Sequence, residues 1–137
     1  MKLVFADALY WIAINRPNDS WQIAAKEARR KSGDAILVTT DEVLVEFLSA
    51  FSKGSPRLRL TAVGMVLAIL SDPNVCVIPQ SRDSFLAGLT LYESRPDKGY
   101  SLTDCISMNV MKIEDITEVL SNDSHFAQEG FQILIEQ

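Results

Sequence analysis

The chain has 137 residues, of which 47% are hydrophobic and 23% charged, with a formal net charge of −5. That length suits one domain, residues 1–137, built round one substantial core, and the composition excludes a disordered chain. The acidic balance argues against binding nucleic acid through a general basic field, and the clustered cations (Lys26, Arg29, Arg30, Lys31; Lys53, Arg57, Arg59) read first as solvated helix faces.

LVFA at 3–6 is a short apolar run of strand formers ending at Asp7, and it predicts a buried strand. Helical sequence follows. In residues 19–32, Trp21, Ala24, Ala25 and Ala28 recur at helical spacing, with acids early, bases late and Gly33 as a stop. AILV at 35–38 predicts a second strand. TTDEVLVEFLSAFSKG then opens with Thr39 and Glu42 in capping-box spacing, carries Leu44, Phe47, Leu48 and Phe51 on one stripe, and closes on Gly54. SPRLRLTAVGMVLAILSD repeats this grammar with Pro56 near its start and a stripe of Leu60, Val63, Leu67 and Leu70.

VCVI at 75–78 predicts a third strand, 81–94 an amphipathic helix, and RPDKG a loop. Ser101 can cap a helix over 101–113. TEVL at 117–120 predicts a fourth strand, SNDSHFAQEG a loop with a short helical turn, and FQILI a closing strand. Strands alternating with helices imply an α/β fold with a central, mostly parallel sheet flanked by helices on both faces. In such sheets, sites form beyond the carboxyl ends of the strands.

MKLVFAD lacks the cationic start and long apolar stretch of a leader, and TAVGMVLAIL is well short of the roughly 18 residues of a membrane span. A cytoplasmic protein is expected. Cys76 and Cys105 lie in apolar runs without CxxC spacing, so both are expected to be buried reduced thiols. No phosphate-binding glycine loop is present, and the single histidine, His125, leaves little from which to build a histidine zinc site or a serine triad. It reads as a polar loop residue.

The chemistry therefore rests on acids. Asp7 ends the first strand and Asp123 follows the fourth. Asp104 sits among Leu102, Cys105, Ile106, Met108, Val110, Met111 and Ile113 near the start of a helix. A carboxylate in apolar surroundings needs a cap, an arginine or a metal ion, and a helix N-terminal acid favoured by the dipole is the simpler account. Glu42 and Glu46 both fall opposite the Leu44 stripe, and spacing does not choose between them. Asp41, Asp72, Asp83 and Asp97 occupy cap or turn positions. Convergence of the strand-end acids would give an oxygen-rich site suited to a hard cation such as Mg²⁺ or Mn²⁺.

VFAD with a tryptophan shortly after, TTDEVLVEFL, YSLTDCISM at 100–108 and ITEVLSNDSHFAQEGF at 116–131, in this order and over essentially the whole chain, together resemble PIN-domain proteins, especially VapC-type toxin ribonucleases. The resemblance implies a PIN-like three-layer fold. It also implies a metal-dependent endoribonuclease that hydrolyses RNA phosphodiester bonds, with Asp7, Glu46, Asp104 and Asp123 as catalytic residues and as ligands of Mg²⁺ or Mn²⁺. On this reading Glu46 rather than Glu42 is the helix acid. Cations held by the four acids would activate a water and neutralise the leaving oxygen. Two divalent ions would offset four of the net negative charges, leaving the 26–31 and 53–59 clusters to hold RNA phosphates.

Family members commonly form homodimers and pair with a cognate antitoxin protein encoded beside them. The helices over 43–51 and 60–70 carry apolar surface suited to self-association or to an antitoxin helix. An antitoxin arginine could engage two of the carboxylates. The chain departs from the family pattern at two positions. Ala8 replaces the usual Thr or Ser after the first acid, and Ser121 replaces the usual Thr of the fourth motif but keeps the hydroxyl beneath the ligands. Loss of the hydroxyl at position 8 implies metal binding weaker by on the order of 10-fold or more, and with it reduced activity. Two alternatives stay open: a PIN-like RNA-processing nuclease with a housekeeping substrate, and a PIN-like binding protein of weakened activity.

Overall fold

A computed structural model describes residues 1–137. Strands β1 (Leu3–Ala6), β2 (Ile36–Thr40), β3 (Val75–Ile78), β4 (Glu118–Leu120) and β5 (Gln132–Ile133) form one sheet in the order β3-β2-β1-β4-β5. Every neighbouring pair is parallel, with Phe5 opposite Val38 on one side and Val119 on the other. The sheet expected to be mostly parallel is parallel throughout. Its central strands read as continuous apolar runs because helices cover both faces, and Val4, Phe5, Ala6, Val119 and Leu120 are wholly buried. Chain order departs from β1 in both directions, so the carboxyl ends of β1 and β4 border the crevice where α/β sheets place ligands.

Seven helices flank the sheet: α1 (Ala8–Asn15), α2 (Gln22–Lys31), α3 (Asp41–Ala50), α4 (Pro56–Ser71), α5 (Arg82–Ser94), α6 (Leu102–Ile113) and α7 (Ser124–Gln128). The helical sequence after Asp7 breaks at Pro17. Arg16, preceding it, is extended (φ −83°, ψ 124°), as the proline ring requires of its neighbour. α5 packs closely on α6 because Gly88 has no side chain; a Cβ there would lie 2.6 Å from Ile106 Cγ1. Phe5, Phe47, Phe126, Met108 and Met111 are the largest of the fully buried side chains in a 29-residue core.

Four expectations need correction. β2 runs on to Thr40, so the N-cap of α3 is Thr40, whose hydroxyl accepts the Val43 N–H at 3.1 Å. Thr39 is instead buried inside the sheet, donating to the Ala6 carbonyl at 2.8 Å. The capping box forms at α6, where Ser101 and Asp104 satisfy each other's backbone N–H groups. The stripe of Leu60, Val63, Leu67 and Leu70 lies at the surface, 45–71% exposed, while α4 meets the core through Leu58, Ala62, Val66 and Ile69. A helix apolar nearly all round offers several stripes, and only contact with β3 and α3 decides which is covered. Cys105 is buried as expected, but Cys76 lies on the edge strand β3 and is exposed.

Candidate active site

Asp7 is the residue at which β1 becomes α1. Its backbone is extended, its carbonyl accepts the first helical N–H groups from Tyr10 and Trp11, and its own N–H donates to the Leu120 carbonyl of β4 at 3.3 Å. The carboxylate thus stands at the seam between the two strands. Ser121, immediately beyond β4 and fully buried, donates its hydroxyl to Asp7 Oδ2 at 2.9 Å and accepts the Asp123 N–H at 3.1 Å. One hydroxyl therefore sets the orientation of the first acid and the backbone of the fourth. Asp123 caps α7, its Oδ1 accepting the His125 N–H at 2.9 Å.

Asp104 reaches the same region from α6. Its Oδ2 accepts the Ser101 N–H at 3.0 Å, and its own N–H donates to the Ser101 hydroxyl at 3.0 Å. His125 Nδ1 lies 3.3 Å from Asp104 Oδ2 and 3.3 Å from Asp123 Oδ1, so one ring nitrogen joins the two acids. The ligand atoms of these three side chains lie within 4.8 Å of one another. The imidazole rests against the Tyr100 ring at 5.3 Å, delivered by a left-handed turn at Gly99 (φ 74°). Behind it, Glu129 receives a bidentate pair from Arg95 at 3.0 Å, Lys112 at 3.0 Å and the Tyr100 hydroxyl at 3.1 Å. The Arg95 guanidinium, then Lys112 and Tyr100, hold the Glu129 carboxyl down at about 2. α7 is only five residues long, and this cluster anchors its far end to α5 and α6.

Glu46 projects from α3 into a cleft of about 330 Å³ that it lines together with Asp7, Asp123, Leu9, Ile12, Arg16, Asp19 and Trp21. Glu42, one turn earlier, lines a different cavity with Arg82, Phe85 and Leu102. The two glutamates that spacing left equivalent are thus separated, and Glu46 is the one beside the acids. Burial pushes the Asp7 carboxyl up to about 7 against the pull of the Ser121 hydroxyl and the Ala8 amide, and the charges of Glu46 and Asp104 add to the rise. Desolvation, then Asp104 and Asp123, raises Glu46 as well. None of the four acids has a lysine or arginine partner; the only ion-pair partner within reach is His125.

Four carboxylates and one imidazole gathered at one sheet edge, two of the carboxyls raised by burial and by their acidic neighbours, make a donor set that fits a hard divalent ion. Asp7, Glu46 and Asp123 share the cleft, and Asp104 joins them through His125. The sequence missed His125, whose two-residue offset from Asp123 was the available signal. The two basic clusters expected to hold RNA phosphates lie away from the cleft itself. Neither the 26–31 nor the 53–59 cluster lines the cleft; Arg29 is bonded to the Gly33 and Ala35 carbonyls and Arg30 to Glu27. The cation at the cleft wall is Arg16.

No protein-family model matches the chain, and no curated protein matches it in sequence. Among solved structures, Mycobacterium tuberculosis VapC20, described as a sarcin-ricin loop cleaving toxin, superposes with a TM-score of 0.84 at 21% identity, covering 97% of this chain and 99% of that one. At that identity the likeness speaks for the fold: the three-layer, PIN-like arrangement of helices about a parallel sheet is that of VapC20, from end to end.

Proposed function

We propose that the chain is a metal-dependent endoribonuclease, the toxin member of a toxin–antitoxin pair acting on RNA in the cytoplasm. The observation that carries this reading is the meeting of Asp7, Glu46, Asp104 and Asp123 at the β1–β4 switch point of a fold shared with a toxin that cleaves the sarcin-ricin loop. Asp7, Glu46, Asp104 and Asp123 would hold Mg²⁺ or Mn²⁺. When bound, the cation supplies positive charge at the scissile phosphate and acidifies a water for the attack.

The protein's own part is to hold the acids where they are useful. Ser121 fixes the rotation of the Asp7 carboxylate, and Ser101 fixes one oxygen of Asp104. His125 sets the separation of Asp104 and Asp123. Glu46 lines the same cleft from α3, a helix capped at Thr40. Such second contacts commonly change metal affinity by about 10- to 100-fold. Ala8 offers no hydroxyl, so Asp7 depends on Ser121 alone among side chains.

The exposed apolar face of α4, continuous with a groove of about 410 Å³ lined by Val45, Leu48, Phe51, Leu60 and Val63, supports a homodimer and an antitoxin helix as its partners. Cleavage of a fluorogenic RNA with and without Mn²⁺ tests the activity, and growth on expression with and without the neighbouring gene tests the pairing. RNA left intact at millimolar Mn²⁺ would remove the ribonuclease reading. Cleavage without growth arrest would favour a housekeeping nuclease.

A further inference from the structure

The cleft that holds Asp7, Glu46 and Asp123 has a second wall, made by Leu9 and Ile12 of α1 and by Arg16, Asp19 and Trp21 of the connection to α2. Resting on the ribonuclease reading above, we propose that Trp21 and Arg16 form a subsite for one unpaired nucleotide of an RNA strand. Trp21 stacks on its base, and Arg16 meets a backbone phosphate beside the acids.

The two tryptophans of the chain are used differently. Trp11 is 4% exposed and donates its indole N–H to Thr39. Trp21 is half-buried, packs beside Leu9 and Ile12 at the cleft wall, and its indole N–H has no protein partner. Its backbone is set by Asp19, whose Oδ1 accepts the Trp21 N–H at 2.8 Å just after the left-handed turn at Asn18 (φ 58°). An aromatic face held by the backbone in a cleft is a stacking platform that accepts any base, and only an unpaired base can present a free face to it.

Arg16 is held without being used up. Its Nη2 donates to the Ala50 carbonyl at 3.3 Å, its guanidinium lies 5.4 Å from the centre of the Phe51 ring, and Nη1 is 3.7 Å from Asp19. The side chain is 43% exposed and its other N–H groups have no protein acceptor. It is the one cation lining a cleft that also holds four acids, counting Asp19. A phosphodiester approaching those acids is repelled unless a cation lies along its path, and a guanidinium gives planar donors to phosphate oxygens.

The test uses Asp104→Asn protein, in which cleavage is expected to be slow enough that the strand survives the measurement. Its tryptophan emission is followed while a short single-stranded RNA, the same strand in a duplex, or a ribose-phosphate chain without bases is added. Because Trp11 is enclosed, the ligand-sensitive emission belongs to Trp21. We expect quenching by the single strand and little by the duplex or the base-free chain. Binding measured by anisotropy of labelled RNA should weaken about 5- to 100-fold in Trp21→Leu and stay close to parental in Trp21→Phe. Arg16→Gln should weaken binding and flatten its salt dependence.

Trp21→Leu keeps apolar bulk, and melting curves check its fold. If it unfolds, the comparison of base-containing and base-free strands, with Trp21→Phe, decides. Parental affinity in Trp21→Leu, or equal binding of the base-free chain, would overturn the subsite even where the wild-type protein cuts RNA. Absence of both RNA binding and cleavage in the wild type would overturn the subsite and the ribonuclease reading together.

Discussion

Asp7→Asn should stabilise the metal-free protein at alkaline pH while removing its activity. The carboxyl of Asp7 is 7% exposed, and its proton comes off at about 7 in the fold against 3.8 for an ordinary aspartate. Below pH 3.8 the group is protonated folded and unfolded, and it costs nothing. As pH rises from 3.8 through 7 the unfolded chain ionises first, so stability falls across that window and then levels off. At about 1.36 kcal/mol per pKa unit, the full penalty approaches ~4 kcal/mol. Water entry and reorientation reduce it, and we expect about 2–4 kcal/mol out of a total stability on the order of 5–15 kcal/mol.

Asparagine keeps the shape and still accepts the Ser121 hydroxyl, but it has no proton to lose. Urea unfolding in EDTA at pH 5 and pH 8 should show the wild type losing stability between the two and Asp7→Asn losing much less. Millimolar Mn²⁺ at pH 8 should restore the wild type and leave Asp7→Asn unmoved, because a cation held by the carboxylate cancels its penalty. Equal loss of stability by both proteins in EDTA would refute the account of Asp7 as a desolvated acid. Equal gain with Mn²⁺ would refute its role as a ligand.

Asp104→Asn should fold normally, since the amide oxygen can still accept the Ser101 N–H, yet cleave RNA more slowly by about 100-fold or more; a parental rate in the fluorogenic assay would show that the site is misplaced. Glu129→Gln should cost about 1–2 kcal/mol at neutral pH by weakening the bonds from Arg95, Lys112 and Tyr100. Because the folded carboxyl is held at about 2, that difference should be present above pH 4.5 and vanish as pH falls towards 2, which acid titration of both proteins would reveal. Light scattering should report twice the 15.2 kDa chain mass, and Leu67→Lys on the exposed face of α4 should return the protein to a monomer; an unchanged mass would place the interface elsewhere.

The strands were legible because a doubly covered parallel sheet demands uninterrupted apolar runs, and β3 in particular falls on the predicted residues. Boundaries set by side-chain hydrogen bonds were less so. Thr39 and Thr40 are the same residue type, and only the pairing of β2 with β1 decides which is buried and which caps α3. Asp7, Asp104 and Asp123 stood out as carboxylates at strand ends or in apolar surroundings. Glu46 needed the family resemblance, because helical spacing places it and Glu42 on the same side and only the different neighbours met one turn apart along α3 separate them. His125 acts through a ring nitrogen reaching across to another helix, a relation between Asp104 and His125 that no local pattern encodes. The exposed stripe of α4 went unread for a related reason: its apolar residues surround the helix, and spacing alone cannot tell which side faces the sheet.

The hydrogen bond from Ser121 to Asp7 spans 114 positions of the chain and closes the pairing of β4 with β1, one of the most distant contacts the fold makes. Local helices and the β1–β2 pair can form earlier, but this closure is slow to reach by diffusion of the chain. Until it happens, Asp7 is an ordinary solvated carboxylate, and Asp123 and His125 have no fixed place. A growing chain therefore cannot complete its acid cluster until residue 121 has emerged and β4 can pair with β1. A partly folded molecule, or one stalled before residue 121 leaves the ribosome, carries Asp7 without the Ser121 contact that orients it, so the acid cluster exists only when the sheet is whole.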